Sequence, residues 1–484
     1  MISKPDEQII ILGGGVAGLA TGLELARRGR QVTVIEKGRV AGGLAQTFEY
    51  ETPAGVFRFD IGGHRFHSHK PEIIGWVKDL MGADLLYVPR ISRIYLSNDG
   101  RAGGKFVDYP LQFPGALSIF SPGQAARILS SYAAATVRNR LDGDGPDVSF
   151  EDWVVRRFGR ALYEVYFEPY TEKVWGISCQ ELSADWAAQR ISLPSLSEAV
   201  KRAISPGAAP PATIISHFWY PRLGFGMIPD RMKQEIERLG GQVLLGTGVT
   251  GILPQDAGGF VVTVDDGEGI HELRADRVIS SIPMNFLLAA LPPETGSRQV
   301  AEDFRLRYRD IILIYLAIKT QQVSSDSWTY FPGRSLLVGR THEPRNWSPL
   351  MAPDGYTSLA AEVFTSQGEP TWEQPDEVLV ARRGRPGGYW LHAGGVAAPG
   401  LGETGALCLS GLRHRLRRQG EDRAPVPGTL AEPAPGGPHR LLPLHELRRR
   451  HRGCAAAGRL PDRRAASTWT SARRTRWTEL PEAS

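Results

Sequence analysis

The order of apolar and polar positions near the start of the chain predicts a strand, a helix and a second strand. Residues 8–12 (QIIIL) form a short apolar run that ends in glycines, which is typical of a buried parallel strand. Residues 16–28 then place apolar side chains at helical spacing, and Gly29 follows as a stop signal. Residues 31–35 (QVTVI) predict the second strand, which completes one β-α-β unit of about 30 residues.

The same patterning predicts further elements along the chain. Helical periodicity covers residues 123–140 and 150–168, with Ser149 as the expected N-cap of the second helix. Its aromatic residues Trp153, Phe158 and Tyr163 are expected to pack in the core. The remaining expected elements are a helix over 226–238, a strand over 243–246, a hairpin followed by a strand that ends at Pro283, and a central strand of a second domain over 311–318.

The turn after the first strand carries a glycine motif with specific chemistry. Gly13, Gly15 and Gly18 have the spacing G-x-G-x-x-G, and Glu36 follows 18 residues after the last of them. The first glycine permits a tight turn, the second lets a pyrophosphate approach the backbone, and the third allows close packing of helix on strand. The helix N-terminus offers free N–H groups to phosphates, and the acid accepts from a ribose diol. This context predicts dinucleotide binding.

The charge distribution changes the picture only for the C-terminal part. The net charge of the 484 residues is +5, but residues 381–484 contain 19 arginines, no lysine and 8 acidic residues, which gives +11 there and leaves −6 for residues 1–380. The segment also lacks Ile, Phe, Asn and Met, so it has little to bury and is expected to be disordered. A nucleic-acid interpretation would rest on this segment alone, and we expect no nucleic-acid partner.

The cysteines and the first residues indicate the compartment. Cys179, Cys408 and Cys454 show no CxxC spacing, which excludes a disulfide framework and a structural zinc site. The start, MISKPDEQ, has two acids and no long apolar stretch, so no signal peptide is expected. No apolar run reaches about 18 residues, so no transmembrane helix is expected either. We therefore expect a cytoplasmic protein without a bound metal, and its oligomeric state stays open.

Two further stretches carry a family resemblance. Gly42 and Gly43 follow Glu36 closely in EKGRVAGGLAQT, and residues 59–68 read FDIGGHRFHS. The order of strand, glycine motif, helix, strand, acid and glycine pair resembles the FAD domain of the amine oxidase and protoporphyrinogen oxidase flavoproteins. Residues 60–67 (DIGGHRFH) and 170–176 (YTEKVWG) are most similar to the UDP-galactopyranose mutases of that superfamily. The resemblance covers residues 1–380 in segments and implies FAD as the cofactor.

The resemblance also implies cofactor contacts at the matching positions. The glycine motif would contact the FAD diphosphate, Glu36 the adenosine ribose, the backbone of Val249 the adenine, and the loop with His64 the isoalloxazine. The full set of expected cofactor-binding residues is Gly13, Gly15, Val16, Ala17, Gly18, Glu36, Lys37, Gly43, Leu44, Gly62, Gly63, His64 and Val249. His67 has no assigned role, and its spacing from His64 does not favour a metal pair.

The expected substrate contacts are Arg65, Tyr170, Lys173 and Trp175. The run from Tyr170 to Gly176 follows Pro169 and is expected to be a loop. Either it lies near the active site, as its match to the mutases implies, or it joins two helices and packs through Trp175. A nucleotide diphosphate would need cationic side chains, for which the candidates are Arg65, Arg93, Lys173 and Arg222. No catalytic acid, base or nucleophile is assigned.

Patterning and resemblance together predict an α/β fold. We expect a Rossmann-like FAD/NAD(P)-binding domain with an inserted mixed α+β substrate domain and an irregular C-terminal tail. The expected division is 1–70 and 220–285 for the FAD-binding domain, 71–219 for a mostly helical cap, 286–380 for the substrate-domain sheet and 381–484 for the tail.

The tail raises a question about the reading frame. In the superfamily the chain end returns to close the flavin site, and nothing in 381–484 resembles that segment. Read one base later, residues 436–455 could encode a stretch similar to the family's C-terminal flavin motif. Arginine-rich sequence without lysine is also what a GC-rich gene yields out of frame. We favour a frame change near Arg382; the alternative is a genuine disordered tail that attracts anionic partners.

Three functions are consistent with the sequence. The first is an FAD-dependent oxidoreductase of the amine oxidase type that acts on a small molecule, including a sugar or sugar nucleotide. The second is a mutase similar to the UDP-galactopyranose mutases, which isomerises a sugar nucleotide with reduced FAD and no net redox change. The third is an inactive flavoprotein whose C-terminus is disrupted.

Overall fold

The structure, a computed structural model, describes residues 7–96, 104–109, 120–142, 145–191, 216–303, 308–374 and 406–408. Apart from turns of up to five residues, the helices of these ranges are Val16–Arg27, Pro71–Met81, Pro122–Asp142, Phe150–Phe158, Glu168–Trp175, Ala184–Arg190, Met227–Arg238, Met284–Ala290 and Ser297–Asp303. The predicted helix over 226–238 is thereby confirmed.

A four-stranded parallel sheet forms the centre of the N-terminal part. Its strand order is Arg277–Ser280, Gln8–Leu12, Gln31–Glu36 and Gln242–Leu245. Both faces are covered, which explains the continuous apolar run of the first strand. Ile9 and Ile11 pack with the helices Val16–Arg27 and Met227–Arg238. Ile10 and Leu12 pack on the other face. The predicted β-α-β unit is confirmed.

A second, antiparallel sheet covers that other face. It consists of Gly248–Pro254, Phe260–Asp265 and Ile270–Ala275, and its residues Ile252, Val262 and Val264 share a core with Ile10 and Leu12. The predicted hairpin and the strand that precedes Pro283 are confirmed. Segments from 8–36 and from 227–280 therefore build one layered unit.

A seven-stranded sheet is built mainly from residues 310–365, within the region expected to form the substrate-domain sheet. The strand order is Ala406–Cys408, Asp310–Ile318, Thr357–Thr365, Arg340–His342, Trp328–Tyr330, Ser92–Leu96 and Lys105–Asp108. The predicted strand over 311–318 is confirmed. Two strands come from the region expected to be mostly helical, because residues 92–96 and 105–108 pair at the edge of this sheet. Two small hairpin-like sheets pair Thr47–Thr52 with Gly55–Asp60 and Leu85–Pro89 with His217–Pro221.

The cap helices correct two predictions. The expected continuous helix over 150–168 is wrong, because Gly159 has φ 80° and ψ 155° and ends the helix Phe150–Phe158. A short helical segment and a π-helical turn, Tyr163–Phe167, then lead into Glu168–Trp175. The expected loop from Tyr170 to Gly176 is therefore a helix, and only Gly176, with φ 69°, leaves it.

Other features of the cap are as predicted. Ser149 caps its helix through a reciprocal capping box with Asp152. Phe158 and Tyr163 are buried, and Trp153 packs against the same core. Of the tail, only the strand Ala406–Cys408 is described, paired with Asp310–Ile318. The expected disorder of 381–484 otherwise lies outside the described residues.

Candidate functional site

The first glycine loop, Gly13–Gly18, packs tightly against protein atoms on one side and has free space on the other. Gly13 has φ 101°, and its N–H donates to the Ile35 carbonyl at 2.8 Å. A Cβ at Gly18 would lie 2.0 Å from the Gly13 oxygen, whereas a Cβ at Gly15 would meet no atom within 4 Å. The helix that begins at Val16 has no side-chain cap and no acid in its first turn. Its first amides are therefore available to an anion.

Glu36 joins two loops and retains capacity for a ligand. Its carboxylate is buried and accepts from the backbone N–H groups of Gly14 at 2.7 Å and Gly38 at 2.6 Å. A carboxylate has about four lone-pair positions, so two hydrogen bonds leave room for ribose hydroxyls.

Lys37 and Val249 lie beside that carboxylate's strand. The N–H of Thr247 donates to the Glu36 carbonyl at 2.9 Å. Val249 follows two residues after Thr247 in the chain and therefore lies near the end of the Glu36 strand. A Cβ at Gly248 would lie 3.6 Å from the Lys37 side chain. The residues expected at the adenosine end of the cofactor are thus brought together.

The second glycine pair lies directly against the first loop. The N–H of Gly42 donates to the Gly14 carbonyl at 2.7 Å, and a Cβ at Gly43 would lie 3.3 Å from the Gly15 Cα. Leu44 is 60% exposed, and Val16 and Ala17 are also exposed at this edge.

The loop with Gly62, Gly63 and His64 follows a buried aspartate, Asp60, whose hydrogen bonds fix its position. Asp60 is 1% exposed and accepts hydrogen bonds from the Thr47 hydroxyl, the Tyr220 hydroxyl and the Phe225 N–H. Its carbonyl accepts from the Tyr315 hydroxyl at 2.6 Å. These partners come from the N-terminal part, the return segment and the seven-stranded sheet, so the loop is held where these segments meet.

The two glycines of this loop have different surroundings, because Gly62 borders free space and Gly63 lies against buried side chains. Gly62 has φ 86°, and a Cβ at this residue would meet no atom within 4 Å, so its backbone faces open space. His64 turns its Nδ1 to the Gly62 carbonyl at 3.3 Å, and its ring lies 5.2 Å from that of Phe225. Burial lowers the pKa of His64, which favours the neutral imidazole.

A buried polar group lies behind Gly63. A Cβ there would come within 2.6 Å of Trp328 Nε1, 3.3 Å of His342 Nδ1 and 3.4 Å of Glu362 Oε1. Glu362 Oε2 accepts from both Nε and Nη2 of Arg340, at 2.9 and 2.6 Å. Burial works to raise the pKa of Glu362, but the guanidinium of Arg340 outweighs it and holds this pKa at about 2. The pair is therefore ionised.

Three arginines, Arg65, Arg90 and Arg340, lie near one another beside this pair and form a half-buried cluster, which we call the pocket. Arg65 lies over the Trp328 ring at 5.2 Å. Burial, followed by repulsion from Arg90 and Arg340, lowers the pKa of Arg65. Of these three arginines, only Arg340 has a carboxylate partner among the described residues, and the Arg90 Nε is buried without a hydrogen-bond partner. The pocket therefore holds cationic charge that calls for an anion.

Tyrosines complete the pocket wall. Arg90 lies over the Tyr109 ring at 5.1 Å, and the Tyr330 ring is 5.4 Å from Tyr109 and 5.8 Å from Tyr170. Tyr170 thus joins Arg65 here. Trp175 does not, because its ring packs edge-on against Trp186 of the cap at 5.2 Å.

The other cationic candidates are engaged elsewhere. The Lys173 Nζ donates to the carbonyls of Phe331 and Gly333 at 2.6 and 2.7 Å and approaches that of Val338 at 3.4 Å. Burial, with a contribution from Arg334, lowers its pKa to about 7. Ion pairs join Arg93 to Asp326 and Arg222 to Asp84. None of these three cations is left for a substrate anion.

Lys173 should therefore matter for stability. Lys173→Met leaves buried carbonyls of the 331–338 turn without donors, and we expect a loss of about 1–3 kcal/mol in the free energy of unfolding. The matched control is Lys233→Met, which removes an i, i+4 pair with Glu237 and the attraction of Lys233 to Asp230, and should cost less than about 0.5 kcal/mol. Urea unfolding measures both. Equal losses would contradict a structural role for Lys173.

Several pocket residues were not identified from the sequence: Arg90, Tyr109, Trp328, Tyr330, Arg340, His342 and Glu362. One signal was available for Glu362. It is the only charged residue in the strand Thr357–Thr365, whose other positions are apolar or hydroxyl-bearing. A charge inside an apolar strand needs a buried partner.

The geometry fits a dinucleotide. The residues that would hold it are the open backbone at Gly15, the uncapped helix start at Val16, the carboxylate of Glu36 and the open backbone at Gly62. The two glycines offer open space, the helix start offers free N–H donors, and the Glu36 carboxylate offers lone pairs that its protein partners do not use.

Comparison with known proteins identifies relatives. The family model of flavin containing amine oxidoreductases matches residues 16–383. A probable UDP-galactopyranose mutase of Klebsiella pneumoniae is 24% identical over 184 residues, 37% of this chain and 44% of that protein. The chloroplastic protoporphyrinogen oxidase of Oryza sativa subsp. japonica is 25% identical over 298 residues, 57% of this chain and 52% of that protein. The chain thus matches about half the length of these relatives.

Solved structures support the fold. A reduced UDP-galactopyranose mutase superposes with TM-score 0.64 at 23% identity, covering 77% of each chain. A putative protoporphyrinogen oxidase from Exiguobacterium gives TM-score 0.56 at 18% identity, covering 77% of this chain and 80% of that one. The predicted fold class and the predicted cofactor, FAD, are confirmed. No helix in the described ranges is long and apolar enough to cross a membrane.

Proposed function

This chain belongs to the family of flavin containing amine oxidoreductases, and we propose that it is an FAD-dependent oxidoreductase that acts on a sugar nucleotide. When bound, FAD supplies hydride and electron transfer. The protein's own contribution is to bind the cofactor, orient the substrate and exclude water.

The observation that carries the substrate class is the excess of positive charge in the pocket. Arg65 and Arg90 have no carboxylate partner among the described residues, and Glu362 neutralises Arg340 alone. Arginines recognise phosphate oxygens through paired N–H groups. The aromatic walls from Tyr109 and Tyr330 add surfaces on which a sugar or base ring packs.

We propose the cofactor roles on the positions expected from the sequence. Gly13, Gly15 and Gly18, with the amides of Val16 and Ala17, would receive the diphosphate. Glu36 and Lys37 would hold the adenosine, with Val249 beside it. Gly43, Leu44 and the Gly62–His64 loop would lie along the rest of the cofactor toward the pocket.

A mutase is the second candidate function. Two matched relatives are named as mutases: the probable UDP-galactopyranose mutase of Klebsiella pneumoniae and the dTDP-fucopyranose mutase of Escherichia coli. Both names describe nucleotide-linked sugars, which agrees with the charge of the pocket. The same arginines would serve either reaction, so the pocket supports the substrate class more than the reaction type.

One experiment separates these functions. The purified chain is assayed for FAD per protein by absorbance, and then mixed with UDP-galactose as the probe. For the oxidoreductase, we expect the substrate to bleach the oxidised flavin spectrum and steady turnover with an added electron acceptor. A ring isomer that forms only after reduction with dithionite, without consumption of an acceptor, would replace this proposal by the mutase.

The third candidate is an inactive flavoprotein. The family match ends at residue 383, next to the position where the arginine-rich composition begins. Substoichiometric FAD together with no measurable UDP binding would favour this candidate over both enzymes. An Arg65→Gln variant provides the internal control, because it should lose UDP binding in either active case while it retains FAD.

A further inference from the structure

Unpartnered polar atoms converge behind Gly63. Trp328 Nε1, both ring nitrogens of His342 and Glu362 Oε1 are buried and form no hydrogen bond. Three of these atoms lie within 3.4 Å of the Cβ position that Gly63 lacks. A buried polar atom without a partner costs about 1–3 kcal/mol, so such a cluster calls for a functional reason.

Two of these side chains, His342 and Glu362, belong to a chain of contacts that runs from Trp347 to Arg340. His342 Nδ1 faces Glu362 Oε1 at 3.3 Å, and both side chains are fully buried. The other carboxylate oxygen of Glu362, Oε2, accepts hydrogen bonds from Nε and Nη2 of Arg340. The His342 ring is fixed by stacking on Trp347, with 4.9 Å between ring centroids and 10° between planes. Oε1 of Glu362 therefore faces His342, and Oε2 binds Arg340.

We propose that His342 is a positioning residue for substrate binding: when the substrate anion is bound, the Nδ1–H of His342, which lies 3.3 Å from Glu362 Oε1 in this structure, donates to that oxygen. The carboxylate is thereby held so that Arg340 presents its remaining N–H groups to the substrate anion. This inference rests on the proposed function. A packing residue alone would not need ring nitrogens, since an apolar ring would stack on Trp347 without unpartnered atoms. The side chain that carries the donor is therefore the one to test.

The arrangement also explains why the donor is needed. Arg340 binds a single carboxylate oxygen, so the carboxylate can rotate about its Cγ–Cδ bond unless the other oxygen is held. Gly63 allows this end of Glu362 to approach the loop, but it offers no side-chain donor. His342 Nδ1, 3.3 Å from Oε1, is the side-chain nitrogen placed to hold that oxygen.

The test compares UDP binding by isothermal titration in variants of the full chain. His342→Phe keeps a ring on Trp347 but removes the donor, and we expect UDP to bind about tenfold more weakly, the scale of one charge-assisted hydrogen bond. His342→Asn retains an N–H close to the Nδ1 position, so its affinity should stay within about twofold of the wild type. Should His342→Phe not fold, His342→Leu carries the same comparison. Thermal unfolding of each variant reports the fold.

The outcomes separate the inference from the proposed function. Unchanged UDP affinity in His342→Phe, with wild-type binding intact and lost in Arg65→Gln, overturns the positioning role alone. Equal weakening in His342→Phe and His342→Asn also overturns it, because the ring and not the donor would then be required. If the wild type itself binds no UDP, the proposed substrate class fails and this inference fails with it.

Discussion

Alanine at Gly15 should weaken FAD binding about 10- to 100-fold and leave the stability of the apoprotein unchanged. The fold-change follows because a methyl group forced into the contact between the loop and the bound cofactor costs about 1–3 kcal/mol of binding free energy. Alanine at Gly18, three residues later, should destabilise the protein itself. The two glycines belong to one motif, but the structure gives them different neighbours. The comparison therefore tests whether the open side of the loop is the cofactor side.

The physical difference lies in what a new methyl group meets. Gly15 has φ −72° and ψ 175°, which alanine adopts without strain, and no protein atom lies within 4 Å of its Cβ position. The Gly18 Cβ would lie 2.0 Å from the Gly13 carbonyl oxygen and 2.8 Å from the Ser281 hydroxyl. Backbone must move to relieve the first contact, so we expect a loss of about 3 kcal/mol or more.

Measurement requires two readouts for each variant. Isothermal titration with FAD gives the affinity, and urea unfolding of the apoprotein gives the free energy of unfolding. Gly75→Ala is the matched control, because Gly75 also has no neighbour within 4 Å but lies inside the helix Pro71–Met81. It should gain about 1 kcal/mol of stability and leave FAD binding unchanged. Normal FAD affinity in Gly15→Ala would mean that this loop does not receive the diphosphate.

The glycine loops could be predicted from the sequence because their chemistry is local. Gly13, Gly15, Gly18 and Glu36 fall within one β-α-β unit, so their spacing alone brings them together. The conformation of each turn is dictated by the residues in it. This is why the strand, helix and acid all lie where the pattern placed them.

The anion pocket could not be predicted in the same way. Arg65 comes near Arg340 because the loop that carries Arg65 packs on Trp328 of the seven-stranded sheet, and that contact depends on tertiary packing. Lys173 has the charge that a diphosphate needs, but the turn from Phe331 to Val338 supplies carbonyls that take it. Charge and residue type indicate what a side chain offers, and the fold decides which partner receives it.

The prediction of one continuous helix over 150–168 failed for a related reason. The apolar period over 150–168 continues across Gly159, so the pattern contains no break. The break follows from packing, since a Cβ at Gly159 would lie 2.8 Å from the backbone of Ser131 and Tyr132. A neighbouring helix that is distant in the chain thus sets this boundary.

Replacing Arg340 with methionine should reverse the way stability depends on pH between neutral and acidic conditions. In the wild type, the pKa of Glu362 is about 2, below its ordinary value of 4.5. A carboxylate with a lowered pKa contributes stability above pH 4.5, and this contribution is lost as the pH falls through 2. Without Arg340 the same carboxylate is buried without its guanidinium partner, so its pKa rises above 4.5 and its ionisation then destabilises the fold.

We expect Arg340→Met to lose about 3–5 kcal/mol at neutral pH, the usual cost of removing one partner from a buried ion pair. The loss should shrink as the pH approaches 4.5, because the carboxylate takes up a proton in the folded state. Urea unfolding at several pH values measures this difference.

The double variant Arg340→Met, Glu362→Leu shows whether the charge is the cause. It removes both members of the pair, so most of the stability lost at neutral pH should return and the difference should no longer vary with pH. A single variant that loses the same amount at every pH would assign the loss to packing of the Arg340 side chain. UDP binding should be lost in both variants, because stability can be recovered with apolar side chains whereas recognition of an anion requires the guanidinium.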